Sequence, residues 1–140
     1  MGASLRVEHV AVWTRDRESL ERLRAFYADH FGARAGALYE SARRPGFASY
    51  FLEFPGGGAR LELMTAPGVA DHGRDAPPGA EAVGYAHLAL ALGTRDAVDA
   101  FAARLAAAGV RVASGPRLTG DGYYEAVVHD PDGNAVEITA

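Results

Sequence analysis

Residues 84–92 read GYAHLALAL, and residues 6–13 read RVEHVAVW. Both stretches are short and apolar, their side chains alternate in size, and each carries one histidine in the same surroundings. This pattern predicts a β-strand. A lone histidine in an apolar strand is usually a core residue with a satisfied hydrogen bond, but two histidines in matching strands indicate an internal repeat.

The residues around the first histidine predict one half of that repeat. Asp16 precedes a segment whose apolar residues recur at helical spacing, and Gly32 ends it. Further apolar segments and a PGGG turn lead to a last strand that contains LEL. The elements predicted in this half are a strand at 5–14, a helix at 17–33 and strands at 37–41, 48–54 and 59–65.

The second half repeats the same order of elements. Thr94 is the predicted N-cap of its helix, and Gly109 ends that helix. The strand that follows is expected to break near Gly115-Pro116, and the turn DPDGN precedes the final strand. The elements predicted here are a strand at 84–92, a helix at 95–109 and strands at 110–118, 123–129 and 135–140.

Each half therefore has the order β-α-β-β-β, which is an α+β fold class. Module one covers residues 5–65 and module two covers 83–140, while the segment 66–82 is rich in Gly, Pro and Ala and is a predicted linker. One such module cannot bury its own sheet face alone. We therefore expect both modules to form a single domain over residues 1–140, a curved eight-stranded cup that encloses the ligand site.

The composition limits the possible functions. The net charge of −4, without any basic block, argues against a nucleic-acid partner. The absence of cysteine excludes disulfides and thiolate catalysis, and the absence of lysine excludes a Schiff base. No apolar run approaches the roughly 20 residues that cross a bilayer, and no secretory signal opens the chain. We predict a cytoplasmic protein without a membrane partner, and the Arg-, Ala- and Gly-rich composition indicates a bacterial source.

A histidine and a glutamate recur at matching places in both halves. His9 and His87 lie on the first predicted strand of each half, and Glu62 and Glu137 lie on the last, between apolar neighbours. A single glutamate in such a strand could simply face solvent on an amphipathic sheet. The repetition favours a shared purpose for all four residues.

Imidazole nitrogens and carboxylate oxygens together make a good site for a divalent first-row metal ion. Two neutral imidazoles and two carboxylates balance a charge of 2+, so all four can be buried together. An octahedral ion would keep two positions for water or substrate, whereas a closed tetrahedral ion would be structural only. Nickel, cobalt, zinc, manganese and iron all suit this ligand set, and one ion per site is predicted.

Four segments carry a resemblance to a known family: VEHVAVW, RAFYADHFGA, GYAHLAL and the closing VVHDPDGNAVEI. The chain resembles the vicinal oxygen chelate superfamily, which includes glyoxalase I, fosfomycin- and bleomycin-resistance proteins, extradiol dioxygenases and methylmalonyl-CoA epimerase. The resemblance covers essentially the whole chain. It implies paired β-α-β-β-β modules with a metal ion in the cup, and a homodimer.

In glyoxalase I the metal ligands follow the order His, Glu or Gln, His, Glu. The residues His9, Glu62, His87 and Glu137 match that order. Extradiol and fosfomycin-resistance enzymes use two histidines and one glutamate, so Glu62 favours the glyoxalase and epimerase branch. The resemblance further implies that Glu62 or Glu137 acts as the catalytic base, without deciding which.

Trp13 departs from the family pattern, because glutathione-dependent glyoxalase I typically has an arginine four residues beyond the first ligand. Strand parity puts Ala11 and Trp13 on the face of His9, and Ala89 on the face of His87. A roomy, apolar cup with an indole wall suits a bulky hydrophobic ligand better than glutathione. The predicted substrate-binding residues are Trp13, Ala11, Ala89, Tyr123 and Tyr124, of which the two tyrosines point to opposite faces so that one lines the cup.

The function predicted first is a metal-dependent, glyoxalase-like lyase or isomerase acting on a small or medium, largely apolar molecule with adjacent oxygens. The alternative is a non-catalytic protein that sequesters a drug or natural product in the same cup. A ring-cleaving dioxygenase ranks third, since oxygenation needs a redox metal and usually three protein ligands.

Overall fold

The computed structural model describes residues 4–70 and 79–140. The chain divides into two compact units, Met1–Gly73 and Arg74–Ala140. Part of the predicted linker, residues 71–78, lies outside the described residues. The predicted α+β class is confirmed, because each unit contains one helix and one sheet.

The first unit contains one α-helix and, among its described residues, five strands. Its sheet has the order β1-β5-β4-β2, and β3 also pairs with β4. Strands β1 and β5 are parallel, and the other pairs are antiparallel. The elements are β1 His9–Trp13, α1 Arg17–Phe31, β2 Arg34–Ala35, β3 Tyr39–Glu40, β4 Ala48–Glu53 and β5 Arg60–Thr65.

The second unit repeats this plan with a four-stranded sheet of order β6-β9-β8-β7. Strands β6 and β9 are parallel, and the remaining pairs are antiparallel. The elements are β6 His87–Ala91, α2 Arg95–Ala107, β7 Val112–Leu118, β8 Tyr124–His129 and β9 Ala135–Thr139. In the part of the chain that the structure describes, neither helix has the length and apolar character needed to cross a membrane.

Both helices begin at the predicted caps. The Asp16 carboxylate accepts a hydrogen bond of 2.8 Å from the backbone N–H of Ser19, and the Thr94 hydroxyl accepts one of 3.2 Å from Ala97. Gly32 ends α1 in the left-handed conformation, with φ of 66°, and its N–H donates to the carbonyl of Ala28. Both helices therefore match their predictions apart from two residues at the C-terminal end.

Each helix covers one face of its own sheet and forms the core there. In the first unit Leu20 and Leu23 of α1 are fully buried together with Leu52 and Leu63 of the sheet. The corresponding core residues of the second unit are Val98, Leu105, Val128, Val136 and Ile138. The opposite face of each sheet, called here the open face, is left for other residues.

Three predicted strands are markedly shorter in the structure, and one strand is added. The strand predicted at 5–14 begins only at His9, and the one predicted at 84–92 begins only at His87. The predicted strand at 37–41 is reduced to Tyr39–Glu40, and an additional short strand forms at Arg34–Ala35. Both pieces pair with β4, and the N–H of Gly36 between them donates to the carbonyl of Phe51. The described residues therefore contain nine strands instead of eight, because pairing along one edge of β4 is split in two.

The predicted break at Gly115-Pro116 is a change of register inside β7. Ser114 pairs with Val127 and Arg117 with Glu125, and the register shifts between them. Proline has no backbone N–H to donate, so the ladder cannot continue regularly through it. The strand nevertheless extends to Leu118.

We expect the substitution Gly115→Ala to lower the free energy of unfolding by about 2 kcal/mol or more. Gly115 has φ of 77°, and a Cβ atom there would lie 2.4 Å from the carbonyl oxygen of Glu125. Urea denaturation measures the effect. Gly122→Ala is the matched control, since Gly122 also has positive φ but open space around it. Equal losses in both variants would show that the close approach at Gly115 costs nothing.

Candidate metal and ligand site

The open faces carry the residues that the sequence singles out. In β1 the residues His9, Ala11 and Trp13 are exposed, while Val10 and Val12 between them are half-buried. In β6 His87, Ala89 and Ala91 are exposed in the same alternation. This period of two places both histidines on the open face of their sheets, away from the helix.

Strand register brings one glutamate beside each histidine. Ala11 lies opposite Glu62 in the parallel pair β1–β5, and Ala89 lies opposite Glu137 in β6–β9. The Nε2 atom of His9 is 3.7 Å from a carboxylate oxygen of Glu62, and Nε2 of His87 is 3.3 Å from one of Glu137. The glutamate side chains are only 14% and 15% exposed.

The first histidine is held by a neighbouring carboxylate. Nδ1 of His9 contacts the carboxylate of Glu8, which also accepts a 2.9 Å hydrogen bond from Nε of Arg60. The hydrogen bond with His9, followed by that with Arg60, lowers the pKa of Glu8. A carboxylate on Nδ1 favours the tautomer whose Nε2 lone pair is free, and Nε2 is the atom that faces Glu62.

The Phe51 ring also packs against the His9 ring. The two ring centroids are 5.2 Å apart and the rings are nearly perpendicular, at 88°. Phe51 lies directly opposite Glu62 in the antiparallel pair β4–β5. In the second unit Ala86 precedes His87, and Val127 lies opposite Glu137, so neither a carboxylate nor an aromatic ring occupies the corresponding positions.

The donor atoms of each pair suit a divalent metal ion. Metal–ligand bonds of about 2.0–2.2 Å place two neighbouring ligand atoms about 3.0–3.5 Å apart. The His87–Glu137 separation lies within that range, and the His9–Glu62 separation is slightly wider. Within residues 4–70 and 79–140, no group of three or more potential ligands lies together. Each unit therefore offers two ligands.

A further carboxyl group, Glu125, lies beside Glu137 and was not predicted from the sequence. Its hydrogen bond with Glu137 is the main cause that raises the pKa of Glu125, followed by burial and by charge repulsion from Glu137. Glu125 belongs to β8, two residues along the strand from Val127, the register partner of Glu137. The alternation in YYEAVVH puts Glu125 on the open face, but only the strand register reveals its neighbour.

An aromatic cluster forms the other end of the open face in the first unit. The rings of Trp13 and Phe47 meet edge to face with centroids 6.1 Å apart, and Tyr39 contacts Phe47 at the same distance. The guanidinium of Arg44 lies 5.4 Å from the Trp13 ring and 5.6 Å from that of Phe47. Trp13 remains 45% exposed, so its ring is open to a ligand.

The two predicted tyrosines lie in different places. Tyr123 precedes β8 and is 53% exposed. Tyr124 shares the helix-covered face with Ala126, and its hydroxyl donates to Asp99 of α2 while the guanidinium of Arg95 stacks on its ring. The structure therefore does not bring Tyr124 to the open face of Glu137, because even-numbered residues of β8 point toward α2.

Comparison with solved structures shows the same fold in several proteins. A glyoxalase/bleomycin resistance protein/dioxygenase domain from Frankia sp. EAN1pec has a TM-score of 0.74 at 19% identity, covering 98% of each chain. The trypanothione-dependent glyoxalase I of Leishmania major has a TM-score of 0.71 at 22% identity, covering 97% of this chain and 86% of the other.

A third similar structure is the fosfomycin resistance protein FosX of Listeria monocytogenes, in a complex with Mn(II). Its TM-score is 0.68 at 18% identity, and the match covers 100% of this chain and 94% of that protein. None of the curated proteins compared matches this sequence. The sequence profile of one family, however, matches residues 6–138. The chain belongs to the Glyoxalase/Bleomycin resistance protein/Dioxygenase superfamily.

Proposed function

We propose that this protein is a divalent-metal-dependent lyase or isomerase of the glyoxalase type. The observation that carries the proposal is the matched pair of histidine and glutamate in each unit, at the same register of a parallel strand pair. The proposed ligands of one ion, within a chain or across a dimer, are His9, Glu62, His87 and Glu137. When bound, the ion would polarise a carbonyl and stabilise negative charge on adjacent oxygens of the substrate.

The protein residues supply proton transfer and positioning. Glu62 and Glu137 are the candidates for the general base, because each is largely buried beside the histidine of its pair. Glu125 lies beside Glu137, and this neighbouring carboxylate raises the pKa of Glu125. Ala11 and Ala89, opposite the two glutamates, leave room for a substrate next to them.

The chemistry of the open face indicates the kind of substrate. The Trp13–Phe47–Tyr39 cluster offers an aromatic wall at one end of the first sheet. An aromatic or other flat apolar group would pack against it with a gain of about 1 kcal/mol or more beyond area burial. Trp13 in place of an arginine argues against glutathione as the co-substrate.

The test combines metal content with turnover. Elemental mass spectrometry of gently purified protein should find one divalent ion per four-ligand site. Dicarbonyls, epoxides and epimerisable thioesters are then screened as substrates for metal-dependent turnover. Of the two variants Glu62→Gln and Glu137→Gln, the one that removes the general base should lower turnover by about 100-fold or more. Protein that contains no metal and takes up no nickel, cobalt, zinc or manganese would overturn the proposal.

The aromatic cluster also supports a second candidate, a protein that sequesters an apolar drug or natural product without reaction. Trp13 is the only tryptophan of the chain, so its fluorescence reports on ligand binding next to it. A sequestering protein should keep its ligand affinity in His9→Ala, whereas the enzyme should lose turnover.

We also propose a homodimer, which analytical ultracentrifugation tests.

A further inference from the structure

A cavity of about 660 Å³ lies within the first unit, at the end of its sheet where β5 begins and β4 ends. Its wall comes from the residues before β1, the start of β2 and the turn between β4 and β5. The charged residues of the wall are three arginines and two glutamates: Arg6, Arg34, Arg60, Glu8 and Glu53. The cavity is separate from the aromatic cluster around Trp13.

The arginines of this wall are only partly neutralised. Arg34 and Glu53 form a 2.6 Å ion pair, but both side chains are exposed, at 82% and 51%. A pair in such a setting contributes little to stability and can exchange its partner. Arg60 donates to Glu8 through Nε and Nη2. Arg6 has no ion pair among residues 4–70 and 79–140.

The turn between β4 and β5 also lines the cavity, with bare backbone at its glycines. Gly57 and Gly58 both have positive φ, of 75° and 86°, and a Cβ atom at either would have no neighbour within 4 Å. A ligand group can therefore approach the backbone there without meeting a side chain. Guanidinium groups around such a space bind carboxylate and phosphate oxygens in pairs of parallel hydrogen bonds.

Arg60 links the cavity to the histidine pair. It lies opposite His9 in the register of β1 and β5, and its guanidinium stacks 4.2 Å from the centroid of Phe51. Phe51 in turn contacts His9. A second cavity, of about 270 Å³, shares Arg34, Arg60 and Glu53 with the first and is also lined by Phe51.

We propose that this cavity, lined by Arg6, Arg34 and Arg60, binds an anionic group, a carboxylate or a phosphate, of the ligand whose oxygens reach the His9–Glu62 pair. Anion binding in the cavity requires no metal and does not depend on the proposed function. Only the placement of the ligand's oxygens at the His9–Glu62 pair rests on the proposed function. The substrate would then be an acid with an apolar end at Trp13 and its reacting oxygens between that end and the anionic group.

The experiment follows the arginine side chains directly. The Nε–Hε resonances of the full-length, metal-free protein are recorded while inorganic phosphate or acetate is added at constant ionic strength set with sodium chloride. We expect saturable shifts confined to Arg6, Arg34 and Arg60. Arg6→Gln and Arg34→Gln should each weaken binding roughly tenfold. Arg22→Gln is the matched control, because Arg22 is also exposed but lies on α1 and pairs with Glu18.

Shifts that do not saturate, or that affect Arg22 equally, would overturn the anion site. So would a Kd that is the same in Arg34→Gln and Arg22→Gln. Comparison of phosphate with acetate decides which of the two groups the cavity prefers. Because no metal is present, loss of the metal proposal would leave a positive result here intact, and metal binding without anion binding would overturn this proposal alone.

Discussion

His87→Ala should lower the affinity for a divalent metal ion by at least about 100-fold. The substitution removes the Nε2 atom that lies 3.3 Å from the Glu137 carboxylate, so the second unit keeps only one of its two proposed ligands. Competition against a fluorescent chelator for zinc or nickel measures the change. His129→Ala is the matched control, because His129 lies on the same sheet and pairs with Ala135, the register partner of His87. An unchanged affinity in His87→Ala would contradict the proposed ligand set.

Removal of the Glu8 carboxylate beside His9 should weaken metal binding less than removal of a ligand, and the same chelator competition measures it. Glu8→Gln keeps the size of the side chain but removes the charge that holds Nδ1 of His9. Loss of such a supporting interaction typically weakens metal binding about 10–100-fold, which is less than the loss of a ligand.

Asp130→Ala should lower the free energy of unfolding by about 3 kcal/mol. Asp130 is only 4% exposed, and its carboxylate accepts hydrogen bonds from the backbone N–H groups of Asp132 and Asn134 and from the Asn134 side chain, each of 2.9 Å. The substitution leaves these donors without their acceptor in the turn that leads to Glu137. Urea denaturation measures the loss.

Asp132→Ala serves as the control, since Asp132 lies in the same turn, residues 130–134, but is exposed. We expect it to change stability by less than about 1 kcal/mol. If both variants lost the same stability, the buried carboxylate would not be the organising group of the turn. The metal affinity of Asp130→Ala separately reports whether the turn also positions Glu137.

The sequence predicts the elements well where one residue pattern determines them. Alternation in β1 and β6 places the histidines on one face, and the caps Asp16 and Thr94 begin the helices as expected. The short strand at Arg34–Ala35 was missed and the strand at 37–41 was predicted too long, because pairing along a sheet edge depends on the partner strand as well as on a segment's own residues.

The neighbours of the two pairs could not be predicted in the same way. Glu125, Phe51 and Arg60 reach the histidines and glutamates through cross-strand register, which a single sequence does not contain. Parity alone could not decide which of Tyr123 and Tyr124 faces α2. The hydrogen bond of Tyr124 to Asp99 decides that point.

The two sheets place very different side chains at equivalent register positions. Opposite Met64 the first sheet has Trp13, whereas the second has Ala91 opposite Thr139. At this position the first sheet presents an indole ring and the second only a methyl group. Under the proposed function, the exposed Ala89 and Ala91 of β6 are the positions at which larger side chains would change ligand specificity while leaving every proposed metal ligand in place.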